Sequence, residues 1–141
     1  MKITICSSLS FVEDVIKVRD KLVQCGHDVL LPESMNECIV LGVKDAKAYS
    51  KEKQDQSVQN ITDKMRLHFE KIKDSDAILV FNHFKKEVEN YIGPSSFLEM
   101  GIALHYGKKI FLLNPIPDMG LRDEVHAMQP VILNGDLSLI K

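Results

Sequence analysis

GPSSFLEMGIALHYGKKIFLLN, residues 93–114, reads as a helix followed directly by a strand. Proline is well tolerated in a first helical turn, and Ser95 or Ser96 beside it can cap free backbone N–H groups. The helical pattern runs from 94 to 107 and stops at Gly107, with Lys108 and Lys109 as charge near the helix C-terminus. KIFLL (109–113) then reads as a strand. Apolar strands separated by helices belong to a parallel sheet covered on both faces, which makes this segment half of a crossover unit.

The same alternation extends in both directions. ITIC (3–6) is a first buried strand. Residues 10–25 follow it with Phe11, Val15, Val18 and Leu22 at helical spacing, Ser10 as a candidate N-cap and Gly26 as the stop. DVLLP (28–32), AILVF (77–81) and VIL (131–133) supply three more strands. Right-handed crossovers leave few topologies for such a chain. The expected fold is a single α/β domain over residues 1–141, a doubly wound, five-stranded parallel sheet of flavodoxin-like or Rossmann-like type, in strand order 2-1-3-4-5. Residues 33–60, which include the very polar KDAKAYSKEKQDQSVQN, are read as an insertion, either a solvated helix or a mobile flap.

Composition narrows the function classes. Of the 141 residues 45% are hydrophobic and 27% charged, with a net charge of −2 and no long basic run, which argues against a nucleic-acid polymer as partner. No apolar run approaches the ~20 residues of a membrane helix, and the N-terminus lacks a signal-peptide layout, so a cytoplasmic protein with no membrane partner is expected. Cys6, Cys25 and Cys38 share no metal-type spacing and are read as reduced thiols, with neither a metal nor another cofactor expected.

Doubly wound sheets bind small molecules outside the carboxyl ends of their strands. That rule selects Cys6, Ser7 and Ser8 after the first strand, Asn82 and His83 after the third, Asn114 after the fourth, and Gly93 to Ser96 at the start of the next helix. These are mostly neutral hydrogen-bonding groups, suited to sugar hydroxyls or a phosphate, and a helix N-terminus offers free donors to an anion. Ser95 and Ser96 are thus either plain caps or anion ligands. Glu99 lies farther into that helix, with Ala103 and Tyr106 on its side, while Phe97, Gly101 and Leu104 form another strip on which Gly101 would allow close approach to the sheet. Side chains lean toward a helix N-terminus, so Glu99 is expected to reach the crevice, although a glutamate early in a helix is favoured by the dipole in any case. In the preceding helix Ile61, Met65, His68 and Ile72 form one apolar stripe predicted to be buried. His68 within it is either a core histidine or a neighbour of Glu99.

Two segments, KIKDSDAILVFN (71–82) and GPSSFLEMGIALHYGKKIFLLN (93–114), resemble the nucleoside 2-deoxyribosyltransferase superfamily, which includes deoxynucleoside monophosphate N-glycosidases. The resemblance extends from ITICSS through KKIFLLN and centres on Glu99-Met100-Gly101-Ile102-Ala103, ending in Gly107-Lys108. It implies that Glu99 is a nucleophile that attacks the anomeric carbon and expels the base, in the double-displacement manner of retaining glycosidases. It also implies a phosphate seat around Ser95 and Ser96, and a homodimer or higher homo-oligomer. The family's aspartate in the helix before the third strand falls, counting back from Asp76, on His68, which becomes the candidate acid/base or positioning group. Cys6-Ser7-Ser8 likewise replaces the family's glycine and polar residue. Asp76 itself is read as structural.

The alternative is a non-catalytic nucleotide-binding or sensing domain on the same scaffold, with Glu99 gripping ribose hydroxyls. A phospho-receiver is set aside because Val80-Phe81-Asn82 and Cys6-Ser7-Ser8 stand where its acidic residues would be. A flavin module would need a longer loop than CSSLS.

Overall fold

The computed structural model describes residues 1–42, 49 and 57–141. In chain order the elements are β1 (Lys2–Cys6), α1 (Val12–Gln24), β2 (Asp28–Leu30), α2 (Glu33–Leu41), α3 (Val58–Lys73), β3 (Ala77–Val80), β4 (His83–Lys85), β5 (Val88–Tyr91), α4 (Pro94–His105), β6 (Lys109–Leu112), α5 (Arg122–Ala127) and β7 (Val131–Ile132). Five of the strands form one parallel sheet in the order β2-β1-β3-β6-β7. Counting only the strands of that sheet, this is the predicted order 2-1-3-4-5.

Alternation along each strand divides the core in two. Ile3, Ile5, Ala77, Leu79, Phe111 and Leu113 pack on one face with Val12, Val15 and Leu22 of α1 and Met35 and Cys38 of α2. Cys6, Ile78, Val80, Ile110 and Leu112 pack on the other with Ile72 of α3, Met100 and Ala103 of α4 and Val125 of α5. Strands buried on both faces are apolar throughout, which is why they could be read from sequence. At the sheet's amino edge Lys2 donates its backbone N–H to the Asp76 carboxylate at 2.7 Å, and Asp76 returns its own N–H to the Lys2 carbonyl at 2.9 Å. Asp76 is a structural clamp at the end of the sheet remote from the strands' carboxyl ends.

Several local expectations change. Before α1 there is a 3₁₀ turn over Leu9–Phe11, capped by the Ser8 side chain, and Ser10 is the donor to that cap rather than a cap itself. α1 starts from Phe11 without a side-chain cap. α4 starts from Gly93, also without one, so neither Ser95 nor Ser96 serves as its N-cap. A Cβ added at Gly101 would meet nothing within 4 Å, so close approach to the sheet does not explain that glycine. The inward face of α4 is Ser96, Met100 and Ala103, while Leu104 of the other strip is exposed. The stripe on α3 is buried only at its C-terminal half, at His68 and Ile72, whereas Ile61 and Met65 are exposed. The β4–β5 hairpin was not foreseen: its turn residues Lys86 and Glu87 both have positive φ, at 49° and 59°, without the glycine or asparagine that usually announces such a turn. Of the polar insertion expected over 33–60, residues 33–41 form α2 and 58–60 open α3, while 43–48 and 50–56 lie outside the described residues. Among the described residues no helix is long and apolar enough to cross a membrane.

Asn82 and Asn114 join the carboxyl ends of β3 and β6. The Asn82 side chain donates to the Asn114 and Pro115 carbonyls at 3.0 Å each and accepts the Asn114 N–H at 2.9 Å. Asn114 in turn donates its side-chain amide to the Asn82 carbonyl at 2.8 Å. Asn82→Ala therefore strands several polar groups and is expected to lower stability by on the order of 3 kcal/mol in urea unfolding. A loss below ~1 kcal/mol would mean that the two loops are held together by other contacts.

Candidate active site

A cavity of about 580 Å³ opens outside the carboxyl ends of β1 and β3. Ser7 and Ser8 line it from the turn after β1, and Gly93, Ser95 and Ser96 line it from the start of α4. Glu99 and His68 lie on its inner wall, from α4 and α3 respectively. Topology and helical phase pointed Ser7, Ser8, Gly93, Ser95, Ser96 and Glu99 to the crevice, while His68 was open between the core and the side of Glu99; the structure puts it beside Glu99 at the cavity. Cys6 is fully buried beneath the cavity, and Asn82 and Asn114 are not among the residues lining it. The amides of those two asparagines are spent on each other's loops.

Strand and helix phase explain why Cys6, His68 and Glu99 meet. Ile3 and Ile5 occupy the α1 face of β1, so Thr4 and Cys6 must face α3 and α4. Thr4 meets the C-terminal end of α3, with its hydroxyl 2.7 Å from Ser75 Oγ and 3.3 Å from the Lys71 carbonyl. Farther along β1, Cys6 Sγ lies 3.8 Å from His68 Nε2. From α4, Glu99 Oε1 lies 3.6 Å from the same nitrogen, too long for a direct hydrogen bond. His68 Nδ1 is buried with no hydrogen-bond partner among the described residues.

Burial governs the protonation of this cluster. The Glu99 side chain is 14% exposed and that of His68 4%. Loss of water pushes the Glu99 carboxyl up to about 7, with the hydrogen bond from Cys6 opposing the rise. His68 is pushed down to about 4, first by burial and then by the positive charge of Lys71. Burial, reinforced by the charge of Glu99, raises the Cys6 thiol well above its ordinary value. Between about pH 4 and about 7 the dominant form is a neutral imidazole facing a protonated carboxyl, so the His68–Glu99 contact is not an ion pair there.

Other residues line the cavity that the sequence did not assign to it. Ile61 and Met65, the exposed half of the α3 stripe, form an apolar wall. The cationic side comes from the hairpin. Lys85 Nζ donates to Ser8 Oγ at 2.8 Å, and Lys86 Nζ stands 5.6 Å from the Tyr91 ring centroid. Both lysines line the cavity, and among the described residues neither forms a salt bridge with a carboxylate. Lys64 is engaged differently, donating to Glu37 at 3.0 Å and to the Tyr49 hydroxyl at 2.7 Å, while Tyr49 also hydrogen-bonds Glu37. The Lys-Lys pair in HFKKEVENY was the one sequence signal for the hairpin's part in the site.

No protein-family model and no curated protein sequence matches the chain. Solved structures do. A 2-deoxyribosyltransferase from Bacillus psychrosaccharolyticus superposes with a TM-score of 0.54 at 20% identity, covering 79% of this chain and 71% of that one. The CMP N-glycosidase BcmB of Clostridium botulinum superposes with a TM-score of 0.52 at 16% identity, covering 95% and 90% respectively. At these identities the likeness is one of fold. The chain shares the fold of these two structures, the fold that the resemblance drawn from residues 71–82 and 93–114 implies.

The protonation of Glu99 has a consequence for stability. Its folded value, about 7, lies above its ordinary value of 4.5. The folded state therefore holds the proton more tightly, and the stability this contributes is present below about 4.5 and lost as pH rises through about 7. Glu99→Gln escapes that loss. It is expected to be more stable than the parent at pH ~8, by on the order of 2–3 kcal/mol, with the advantage shrinking toward pH ~5. Thermal melts at the two pH values measure this, and an equal effect at both would show that Glu99 is well hydrated.

Proposed function

We propose that the protein cleaves or transfers the N-glycosidic bond of a nucleoside or, preferentially, of a nucleoside monophosphate, with Glu99 as the nucleophile. The observation that carries the reading is the Glu99 carboxyl itself: it faces a cavity large enough for a nucleotide, is largely buried, and among the described residues has no lysine or arginine neutralising it. A carboxylate so placed attacks the anomeric carbon as it ionises. The new bond joins a Glu99 oxygen to that carbon, the carbon–nitrogen bond breaks with its electrons going to the base, and the base nitrogen takes up a proton from solvent. Water or a second base then attacks the same carbon from the opposite side and releases Glu99 as a carboxylate. With its imidazole neutral at neutral pH, His68 serves as a positioning group beside Glu99 rather than as the acid for the leaving base.

Support for a phosphate comes from the rim. Lys85 and Lys86 supply positive charge there, and Ser7, Ser8, Ser95 and Ser96, together with the α4 N-terminus, supply hydrogen-bond donors. The second reading, a nucleotide-binding domain without turnover, is favoured by His68 standing where the resemblance expects an aspartate.

Base release from nucleosides and their monophosphates, followed by absorbance or chromatography, separates the two. The enzyme reading expects turnover that falls by roughly three orders of magnitude or more in Glu99→Ala. The rate should rise about tenfold per pH unit below about 7 and level off above it, because ionised Glu99 is the reactive form. Tight binding without turnover in the parent protein would establish the binding-domain reading instead. For the phosphate, Lys85→Ala and Lys86→Ala should each raise KM for the monophosphate by about tenfold or more while leaving the unphosphorylated nucleoside nearly unchanged. Equal losses on both substrates would remove the lysines from phosphate recognition.

A further inference from the structure

Cys6, His68 and Glu99 each offer one ligand atom, and those atoms all lie within 4.8 Å of one another. Two of the separations are 3.8 Å, from Sγ to Nε2, and 3.6 Å, from Nε2 to Oε1. In a tetrahedral zinc site, with a zinc–sulfur bond of about 2.3 Å and zinc–nitrogen and zinc–oxygen bonds of about 2.0–2.2 Å, neighbouring ligand atoms stand roughly 3.3–3.7 Å apart. The two separations at His68 Nε2 lie within a few tenths of an ångström of that range, and the third, from Sγ to the Glu99 oxygen, is at most 4.8 Å. We propose that they bind one thiophilic divalent cation of the zinc class at the floor of the cavity, and that the ion, by taking the Glu99 oxygen, is a reversible inhibitor of the protein.

The donor set fits this class and not the harder cations. One sulfur, one imidazole nitrogen and one carboxylate oxygen suit zinc or cobalt, whereas magnesium and calcium call for oxygen shells that this site does not supply. Each ligand comes from a different element, β1, α3 and α4, and the Cys6 and His68 side chains are buried, so little ordering remains to be done when the ion arrives. His68 and Glu99 line the cavity, which leaves the fourth coordination position facing it, as in zinc sites that keep one position for water or substrate. Binding sends the Cys6 thiol proton, and any proton held by the Glu99 carboxyl, to solvent. Among the described residues His68 Nδ1 has no carboxylate or carbonyl acceptor of the kind that usually stands behind a ligating histidine, and missing such support costs about 10–100-fold in affinity. The ion is therefore held less tightly than in a structural zinc site and exchanges. The inhibitory part rests on Glu99 being the nucleophile; the binding part does not.

Titrating the metal-free full chain with Co²⁺ under reducing conditions tests both. Binding at Cys6 gives a near-ultraviolet thiolate-to-cobalt band together with the strong visible bands of four-coordinate cobalt, saturating at one ion per chain and displaced by Zn²⁺. The band should persist in Cys25→Ser, which alters the exposed thiol, and disappear in Cys6→Ala. Should Cys6→Ala not fold, Glu99→Gln provides the check: the thiolate band remains, but the ion binds at least about tenfold more weakly. No band in the parent, a band that survives Cys6→Ala, or undiminished affinity in Glu99→Gln overturns the site. In the base-release assay, Zn²⁺ should suppress turnover over the same concentration range that displaces Co²⁺. Turnover unaffected by a saturated site overturns the inhibition. A cobalt site with no base release by the metal-free protein supports metal binding while refuting the glycosidic reading, and base release without a cobalt site does the reverse.

Discussion

A carboxyl group kept out of water at the carboxyl edge of a parallel sheet is the constraint on which the rest of the site turns. Glu99 reaches the cavity from α4, but its environment is made by two other elements: β1 puts Cys6 beneath it and α3 puts His68 beside it. None of these neighbours is a cation at neutral pH. The carboxyl is consequently held near the protonation boundary by desolvation and not by a partner charge, and it is at once a potential nucleophile and a potential ligand.

The surroundings keep this cluster in place without neutralising it. Thr4 anchors β1 to the C-terminal end of α3 through Ser75 and the Lys71 carbonyl. Lys71, whose charge helps keep His68 neutral, donates to Glu33 and to the Leu31 carbonyl, each at 2.9 Å. Charge of the sign a phosphate needs is kept on the hairpin at the rim, on Lys85 and Lys86. Cation and acid are thus carried by different elements of one cavity, an arrangement suited to a ligand with an anionic end and an electrophilic carbon. The positive φ values of Lys86 and Glu87 are also found at that rim, where backbone strain is commonly tolerated in return for aiming a side chain.

The α3 stripe shows how far sequence pattern reaches. Ile61, Met65, His68 and Ile72 do share one face of the helix, as their spacing requires. Periodicity cannot tell whether that face meets a packed core or an open cavity, because both present an apolar surface to the helix. Here the face changes from cavity wall to core partway along α3, and His68 stands at the change. The serines before Glu99 carry a similar lesson. A Ser beside a Pro reads as a cap, but Gly93 occupies the capping position, so both serines line the cavity without capping the helix.

The five sheet strands, their order and the helices at 12–24, before β3 and at 94–105 were legible in the chain itself, since runs buried on both faces are apolar throughout and parallel crossovers have one hand, whereas α2 and α5 were not. The rim positions Ser7, Ser8, Gly93 to Ser96 and Glu99 followed from that topology. Which side chains touch could not be read in the same way. Cys6 and His68 are 62 residues apart, and their meeting depends on strand phase, helix rotation and close packing acting together. The tertiary structure alone decided that Asn82 and Asn114 are spent on joining two loops, that a hairpin with no glycine at its turn brings two lysines to the cavity, and that a thiol, an imidazole and a carboxyl come within 4.8 Å of one another. Local periodicity records how each element faces the core; only packing determines what it finds there.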